Sequence, residues 1–420
     1  MTSREYLCID LKSFYASVEC VERGLDPMTA KLAVADPKRG EGTVCLAVSP
    51  ALKKLGVKNR CRVYQIPKDI TYIKAPPRMK MYIRYSADIY AVYLKYIAKE
   101  DIHVYSIDEA FLDVTDYLSL YRLSSRELAV QIMQDIKETT KITAAAGIGS
   151  NLYLAKTALD LLAKHRDDHI AVLEESSYRR LLWDHKPLSD FWRIGTGIQK
   201  RLQEFGILTM KDIAHADPAL LYRLFGVDAE LLIDHAWGRE SVKLPDIKSY
   251  QPKHRSVSSR QVLFRDYKYE ECKLILKEMV DALCLEMEAL KAAARSVSLT
   301  IGYSYEQERE ASAGSAALSV ASRSYRVLIP HVLDLYERIT EKNIPIRNVS
   351  VAFQTIADTD CQQYDLFTDY KTIEKEKKMQ KTVLEIKQKF GKNAVIRGMD
   401  LQQEATAVER NRQIGGHSIG

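Results

Sequence analysis

Between residues 257 and 356 the hydrophobic pattern changes in an order that few architectures can accommodate. Residues 257–264 alternate with a period of two, as a strand does, and residues 270–292 carry apolar side chains at helical spacing. Residues 297–303 and 316–321 read as two further strands, 325–340 as a helix and 349–356 as a last strand. Strand, helix, strand, strand, helix, strand is the order of the ferredoxin-like split motif. A unit of this size fills only part of a 420-residue chain. At about one domain per 150 residues, roughly three units are expected.

The preceding residues divide by the same reasoning. A short apolar run, residues 6–9, ends in Asp10 and is followed by helical spacing over residues 14–21, giving strand, turn, helix. Residues 32–34 and 43–48 read as short strands, and Pro50 opens a helix that stops at Gly56. Residues 26–72 therefore form a small lobe. A tyrosine-rich helix over 82–98 leads to a hairpin over 103–114 whose expected turn is Asp108-Glu109. That pair is poor turn chemistry, since asparagine or aspartate followed by glycine is preferred, and a locally poor choice points to function. A helix over 125–139, a strand over 142–146, a turn over 147–151 and a helix over 152–163 complete a mixed α+β unit. Residues 166–245 read as short helices punctuated by Gly206, a Thr209 cap and Asp217-Pro218. Residues 246–256, polar and basic, read as a linker. From Asp358 a polar tail carries a charged helix over 370–390, expected to be solvated through i,i+4 pairs, and a weakly structured end over 410–420.

Three carboxylates stand where structural residues belong: Asp10 at the end of an apolar strand, and Asp108 and Glu109 at the tip of an apolar hairpin. Adjacent side chains on a regular strand point to opposite faces, so neighbouring carboxylates converge only at a turn or strand end. Hard oxygen ligands of this kind suit magnesium, which keeps positions open for water and phosphate oxygens, and two such ions serve phosphoryl transfer. Taken singly, Asp10 as a helix cap and Asp108-Glu109 as a solvated turn are equally reasonable. Lysine and arginine (62) exceed aspartate and glutamate (56) by only +6, which permits a polyanionic partner without demanding one. Seven cysteines with no C-x-x-C spacing argue against a disulfide framework or thiolate zinc site and for a reducing compartment. The first apolar stretch is too short for a signal peptide or membrane span, so a cytoplasmic protein with no membrane partner is expected.

The stretch from Asp10 through Phe14, Tyr15 and Glu19, together with Ser106 through Asp113, resembles the two catalytic signatures of the Y-family translesion DNA polymerases, UmuC/DinB-like enzymes. Residues 147–151 leading to Lys156 resemble the third signature, and residues 192–197 leading to Phe205-Gly206-Ile207 resemble the family's helix-hairpin-helix. The four stretches fall in the family's order over about residues 1–360, and the resemblance is closest to the UvrX-type UV-damage repair polymerases of Gram-positive bacteria. It implies an α+β multidomain right hand: a ferredoxin-like palm (1–25 and 73–165), small fingers (26–72), a helical thumb with a helix-hairpin-helix (166–245), a linker (246–256), a βαββαβ little finger (257–357) and a tail (358–420).

It further implies error-prone, DNA-directed nucleotidyl transfer with two Mg2+ ions held by Asp10, Asp108, Glu109 and the carbonyl of Leu11. Phe14, Tyr15, Lys53 and Lys156 would meet the incoming deoxynucleoside triphosphate, with Tyr15 as a ring that clashes with a ribose 2′-hydroxyl. The fingers helix departs from the family pattern, because Pro50 and Lys53 stand where many members carry tyrosine and arginine, and lysine lacks the bidentate fork. Gly195, Gly197, Arg255, Arg260, Arg265 and Arg295 would contact primer-template DNA. Gln363, Leu366 and Phe367 resemble a motif for docking on a β sliding clamp, although Tyr364 replaces the usual leucine. A monomer is expected. A nucleotidyl cyclase on a related palm and a non-catalytic DNA- or clamp-binding scaffold are the alternatives. The helix-hairpin-helix and the second ferredoxin-like unit speak against the cyclase, and the retained carboxylates with Lys156 speak against the scaffold.

Overall fold

A computed structural model describes residues 4–252, 255–357 and 370–420. The chain divides into two compact units, one up to Tyr250 and one from Gln251.

The first unit is built on a five-stranded sheet with β1 (Tyr6–Leu11) at its centre. β1 pairs antiparallel with β6 (Glu109–Asp113), which pairs with β5 (Ile102–Val104), and on its other side with β7 (Ala144–Gly149). β8 (Ile170–Leu173) runs parallel to β7 at the edge. This fifth strand corrects the expectation that residues from 166 on are all helical. It is only four residues long, and its place is fixed by pairing with a distant strand. Leu7, Ile9 and Leu11 on one face of β1 and Tyr6 and Cys8 on the other are all buried, so the sheet is covered on both sides.

Helices α1 (Phe14–Val21), α3 (Met79–Tyr93), α4 (Thr115–Tyr121), α5 (Ser125–Thr140) and α6 (Leu152–Thr157) accompany the sheet. α6 lies so close to β7 that a Cβ on Gly147 would come within 2.0 Å of the Ala155 carbonyl oxygen, and one on Gly149 within 2.3 Å of the Ala155 nitrogen. Both glycines belong to the strand, not to the expected turn, and their missing side chains let the helix approach.

The small lobe has its own three-stranded sheet, β3 (Ala47–Val48), β2 (Leu32–Val34) and β4 (Ile73–Ala75). Its core gathers Ala33, Cys45, Val48, Leu52, Val57, Val63 and Ile66. α2 (Pro50–Lys54) starts as its sequence dictates, with Ser49 accepting from the Leu52 N–H at 3.4 Å and Pro50 in the first position. The helical segment comprises α7 (Glu175–Leu182), α8 (Thr196–Gln203), α9 (Met210–His215), α10 (Pro218–Phe225), α11 (Asp228–Trp237) and α12 (Leu244–Ser249). It shares one core with the α6 side of the sheet, where Tyr6, Phe111, Tyr153, Tyr178, Leu202 and Leu244 belong to a single cluster. The expected linker at 246–256 is partly helix: α12 extends to Ser249, and Lys248 donates to the carbonyls of Lys99 and Glu100 at 2.8 and 2.7 Å.

In the second unit β9 (Arg255–Tyr267), β10 (Ala292–Tyr303), β11 (Ser312–Ser322) and β12 (Ile346–Ala357) form an antiparallel sheet in the order β11-β10-β12-β9. With α13 (Tyr269–Ala289) and α14 (Tyr325–Ile339) this reproduces the expected split order, each β-α-β pair being separated by a strand of the other. The core runs from Val257 and Leu263 through Ile275, Met279 and Leu283 to Tyr336 and Phe353.

The tail corrects the expectation of a solvated helix and a weakly structured end. α15 (Tyr370–Phe390) buries Ile373, Glu376 and Gln380, and Ser324 donates to the Glu376 carboxylate at 2.5 Å. Glu278 of α13, itself buried, accepts from the N–H groups of Thr406 and Ala407 at 2.9 and 3.1 Å, where α16 (Ala407–Arg410) begins. A two-stranded hairpin, β13 (Gln413–Ile414) and β14 (His417–Ser418), follows, with positive φ at Gly415 and Gly416.

Candidate active site

The hairpin between β5 and β6 turns through residues 105–108, not at Asp108-Glu109. The N–H groups of Tyr105 and Ser106 both donate to the Glu109 carbonyl at 3.0 Å, and Leu11 N–H donates to the Asp108 carbonyl at 3.0 Å. Glu109 is thereby the first residue of β6, directly opposite Asp10 in the register. Opposed residues on antiparallel strands present side chains to the same face. Asp108 closes the tip, its carboxylate accepting from the Ser106 hydroxyl at 2.6 Å.

Two lysines from the segment after β7 meet these acids. Lys156 Nζ lies 2.7 Å from Glu109 and 2.9 Å from Asp160, and Lys164 Nζ lies 2.8 Å from Asp160 and 3.1 Å from Asp10. Asp160 reaches both ammonium groups from a π-helical turn, residues 158–162, that interrupts the regular helix expected there. Such turns recur at functional sites. Glu109 also accepts from the Cys8 thiol at 3.2 Å. Burial, set against the Lys164 ammonium and reinforced by Asp108 and Glu109, pushes the Asp10 carboxyl up to about 6.

Among the described residues no three His, Cys, Asp or Glu side chains are gathered as a metal-ligand set, because each acid is turned onto a lysine, a serine or a thiol. The donor chemistry nevertheless fits a hard divalent cation. Asp108 and Glu109 lie close enough to Asp10 to raise its carboxyl, and a bound cation would relieve that repulsion.

Ser13, in the left-handed region at φ 48°, turns the chain sharply from β1 into α1. Tyr15 emerges half-buried, with its ring centroid 4.7 Å from that of Tyr82 and its phenol held above the usual value by burial and by Asp108. Phe14 is 1% exposed, so its ring is core and only its backbone is left to face a nucleotide. Lys156, at 6%, is likewise enclosed, and the more open ammonium beside the acids is that of Lys164. Lys53 faces the same region from α2. Burial holds its ammonium below the usual lysine value, with Lys164 adding to the effect and Asp10 and Asp108 opposing it. Lys12 is lowered by burial and by Lys53 and Lys54, and its Nζ lies 2.9 Å from His169 Nδ1. Lys164, Asp160 and Lys12 were invisible to sequence reasoning, which treats helix and loop lysines as solvated. The available signal was the i,i+4,i+8 spacing of Lys156, Asp160 and Lys164.

Gly195 caps α8 and Gly197 lies in its first turn; both are exposed, and a Cβ on either would meet nothing within 4 Å. Of the four arginines expected on DNA, Arg260 stands in a cross-strand row with Ser350 and Thr300, donating to Asn348 at 3.2 Å. Arg265 is bound by both oxygens of Glu271 and lies 4.1 Å from the Tyr267 ring centroid, so it is committed within its own unit. Arg255 and Arg295 are exposed. Gln363, Leu366 and Phe367 lie outside the described residues.

The chain matches the impB/mucB/samB family over residues 9–160 and that family's C-terminal domain over residues 254–366. It is similar to the putative UV-damage repair protein UvrX of Bacillus subtilis, with 32% identity over 417 residues covering 99% of this chain and 97% of the relative. It is also similar to DNA polymerase IV 2 of the same organism, with 27% identity over 99% of each chain. Among solved structures, a Y-family DNA polymerase chimera, Dbh-Dpo4(243-245)-Dbh, matches with a TM-score of 0.65 at 21% identity, over 83% of this chain and 98% of that one. With the paired strand ends and the two-unit fold already in view, these similarities establish that the chain belongs to the impB/mucB/samB family of Y-family polymerases.

Proposed function

We infer that the chain is a DNA-directed DNA polymerase performing error-prone translesion synthesis in damage tolerance. The observation that carries this reading is the juxtaposition of Asp10, Asp108 and Glu109 with a group of lysines and a half-buried tyrosine. Acids and ammonium groups side by side suit a substrate that is both metal-bound and polyanionic.

Asp10, Asp108, Glu109 and the Leu11 carbonyl would hold two magnesium ions, which when bound supply activation of the primer hydroxyl and stabilisation of the leaving pyrophosphate. Lys164, Lys53 and Lys12 hold the triphosphate as point charges, in place of the fork that an arginine would offer. Lys156, paired with Glu109 at 2.7 Å, orients that carboxylate. Tyr15, backed by Tyr82, blocks the space a 2′-hydroxyl would need. At Gly195 and Gly197 the chain's own packing does not require glycine, so close approach of a DNA phosphate to exposed backbone N–H groups gives them a use. Arg255, Arg260 and Arg295 contact duplex DNA from the second unit, residues 363–367 dock on a sliding clamp, and the protein works as a cytoplasmic monomer.

Primer extension on undamaged and lesion-bearing templates with magnesium tests the reading. Extension is expected from the wild type and not from Asp108→Ala. A variant that extends as well as the wild type overturns it. Formation of a cyclic nucleotide from triphosphate without DNA would favour the cyclase alternative instead.

A further inference from the structure

The small lobe holds a second pair of reactive groups that nucleotide transfer does not use. Cys45 and Cys61 lie on adjacent antiparallel segments. Cys45 N–H donates to the Cys61 carbonyl at 2.7 Å, and Val63 N–H donates to the Thr43 carbonyl at 3.0 Å, around the bridge between Val44 and Arg62. This register sets Cys45 opposite Cys61, an arrangement whose Cα atoms are about 5.5 Å apart, inside the range a disulfide spans. The two thiols are near enough that Cys61 adds to the upward shift of Cys45. Cys45 is fully buried in the lobe's core, whereas Cys61 packs at its margin and is partly exposed. The other described cysteines, Cys8, Cys20, Cys272 and Cys284, are all buried, so Cys61 is the described thiol that a solute can reach.

The geometry points to Cys45 and Cys61 as a peroxide-reactive dithiol that closes to a disulfide and fastens the two ends of the segment carrying α2. The Cys61 thiolate attacks one oxygen of a hydroperoxide; the S–O bond forms, the O–O bond breaks, and the leaving oxygen takes a proton to depart as water, or as an alcohol from an alkyl peroxide. The Cys45 sulfur, giving up its proton to solvent, then attacks the Cys61 sulfur. The S–S bond forms, the S–O bond breaks, and the hydroxyl leaves as water. Two thiols are oxidised and one peroxide is reduced. Burial, with Cys61 adding to it, pushes the Cys45 thiol up to about 12, so Cys45 does not compete with the more exposed Cys61 for the peroxide. The disulfide would bridge residues 46–60, including Lys53, and would tie them to the segment after α2.

The experiment uses the full chain with Cys361→Ser, which leaves six cysteines. After one equivalent of hydrogen peroxide, non-reducing peptide mapping is expected to show a linked peptide joining Cys45 to Cys61, with two thiols lost and both restored by dithiothreitol. Amide exchange over residues 46–60 is expected to slow several-fold in the oxidised form. With Cys45→Ser, a sulfenic acid at Cys61 should be trapped by dimedone instead. Cys61 found as free thiol or sulfinic acid while Cys45 stays reduced in the Cys361→Ser chain would overturn the proposal, as would unchanged exchange in the linked form. The mapping does not depend on the Cys45→Ser variant folding, nor on polymerase activity.

Discussion

Nine residues apart in the first strand–helix segment, two acidic side chains meet opposite fates. At Glu19 the Arg78 guanidinium reaches both carboxylate oxygens at 2.9 and 2.8 Å, Tyr82 donates at 2.8 Å, and Arg23 also pairs. Although burial works the other way, these donors hold the Glu19 carboxyl below its ordinary value. At Asp10 the ion pair is made by a lysine point charge, Lys164, with no guanidinium fork, two further carboxylates crowd in, and the carboxyl is pushed up to about 6. The first cluster is satisfied and ties α1 to α3. The second is frustrated within the chain itself, and such frustration marks where a ligand completes the electrostatics.

The sharpest way to break this contrast is to neutralise one acid of the second cluster. Asp108→Asn is expected to lower primer extension on the order of 10³-fold, the loss of several kcal/mol of metal-assisted stabilisation, while the thermal midpoint stays unchanged. A fall in midpoint comparable to that of a core variant would mean the cluster is structural. The converse variant is Glu19→Ala, which leaves Arg78 and Tyr82 without their acceptor and should cost about 3 kcal/mol in denaturant unfolding. Its extension rate at low temperature should remain near wild type; loss of activity without loss of stability would erase the distinction.

How much of this was legible beforehand depended on whether the signal was local. The strand-end carboxylates and the β-α-β-β-α-β order could be read because apolar periodicity reports them directly. The turn after β5 was misplaced because Glu109 is recruited by its register with Asp10, which no hairpin rule sees. β8 was missed because four residues beside a parallel partner carry little pattern of their own. In α15, Glu376 and Gln380 sit on the buried face, so polarity hid the stripe. Lys164 was passed over in favour of Lys156, since only the π-helical turn decides which ammonium is enclosed.

Lys164→Ala refines the comparison at smaller scale. Losing one charged contact to the triphosphate should raise KM for the incoming nucleotide about tenfold with a smaller change in kcat. An effect on kcat alone would assign Lys164 to orienting Asp10. The smallest effect is a pH slope. A carboxyl whose folded value is depressed contributes stability fully above its ordinary value and loses it as pH falls through the lower, folded value. Acid should therefore destabilise the wild type more steeply than Glu19→Gln over that interval, as read by unfolding midpoints at several pH values. Identical slopes would show that Glu19 is not held as described.

The bonds from Glu278 to Thr406 and Ala407 span 128 and 129 residues of sequence. A ribosome delivers the acceptor long before the donors arrive. Until residues 406 and 407 are made, the Glu278 carboxylate of α13 lacks the backbone donors that hold it, and a chain stopped before them leaves it unpaired by them. α16 thus supplies late in synthesis the donors that a carboxylate buried in α13 has needed since it was made, so the second unit reaches its full set of hydrogen bonds only once residues 406 and 407 are in place.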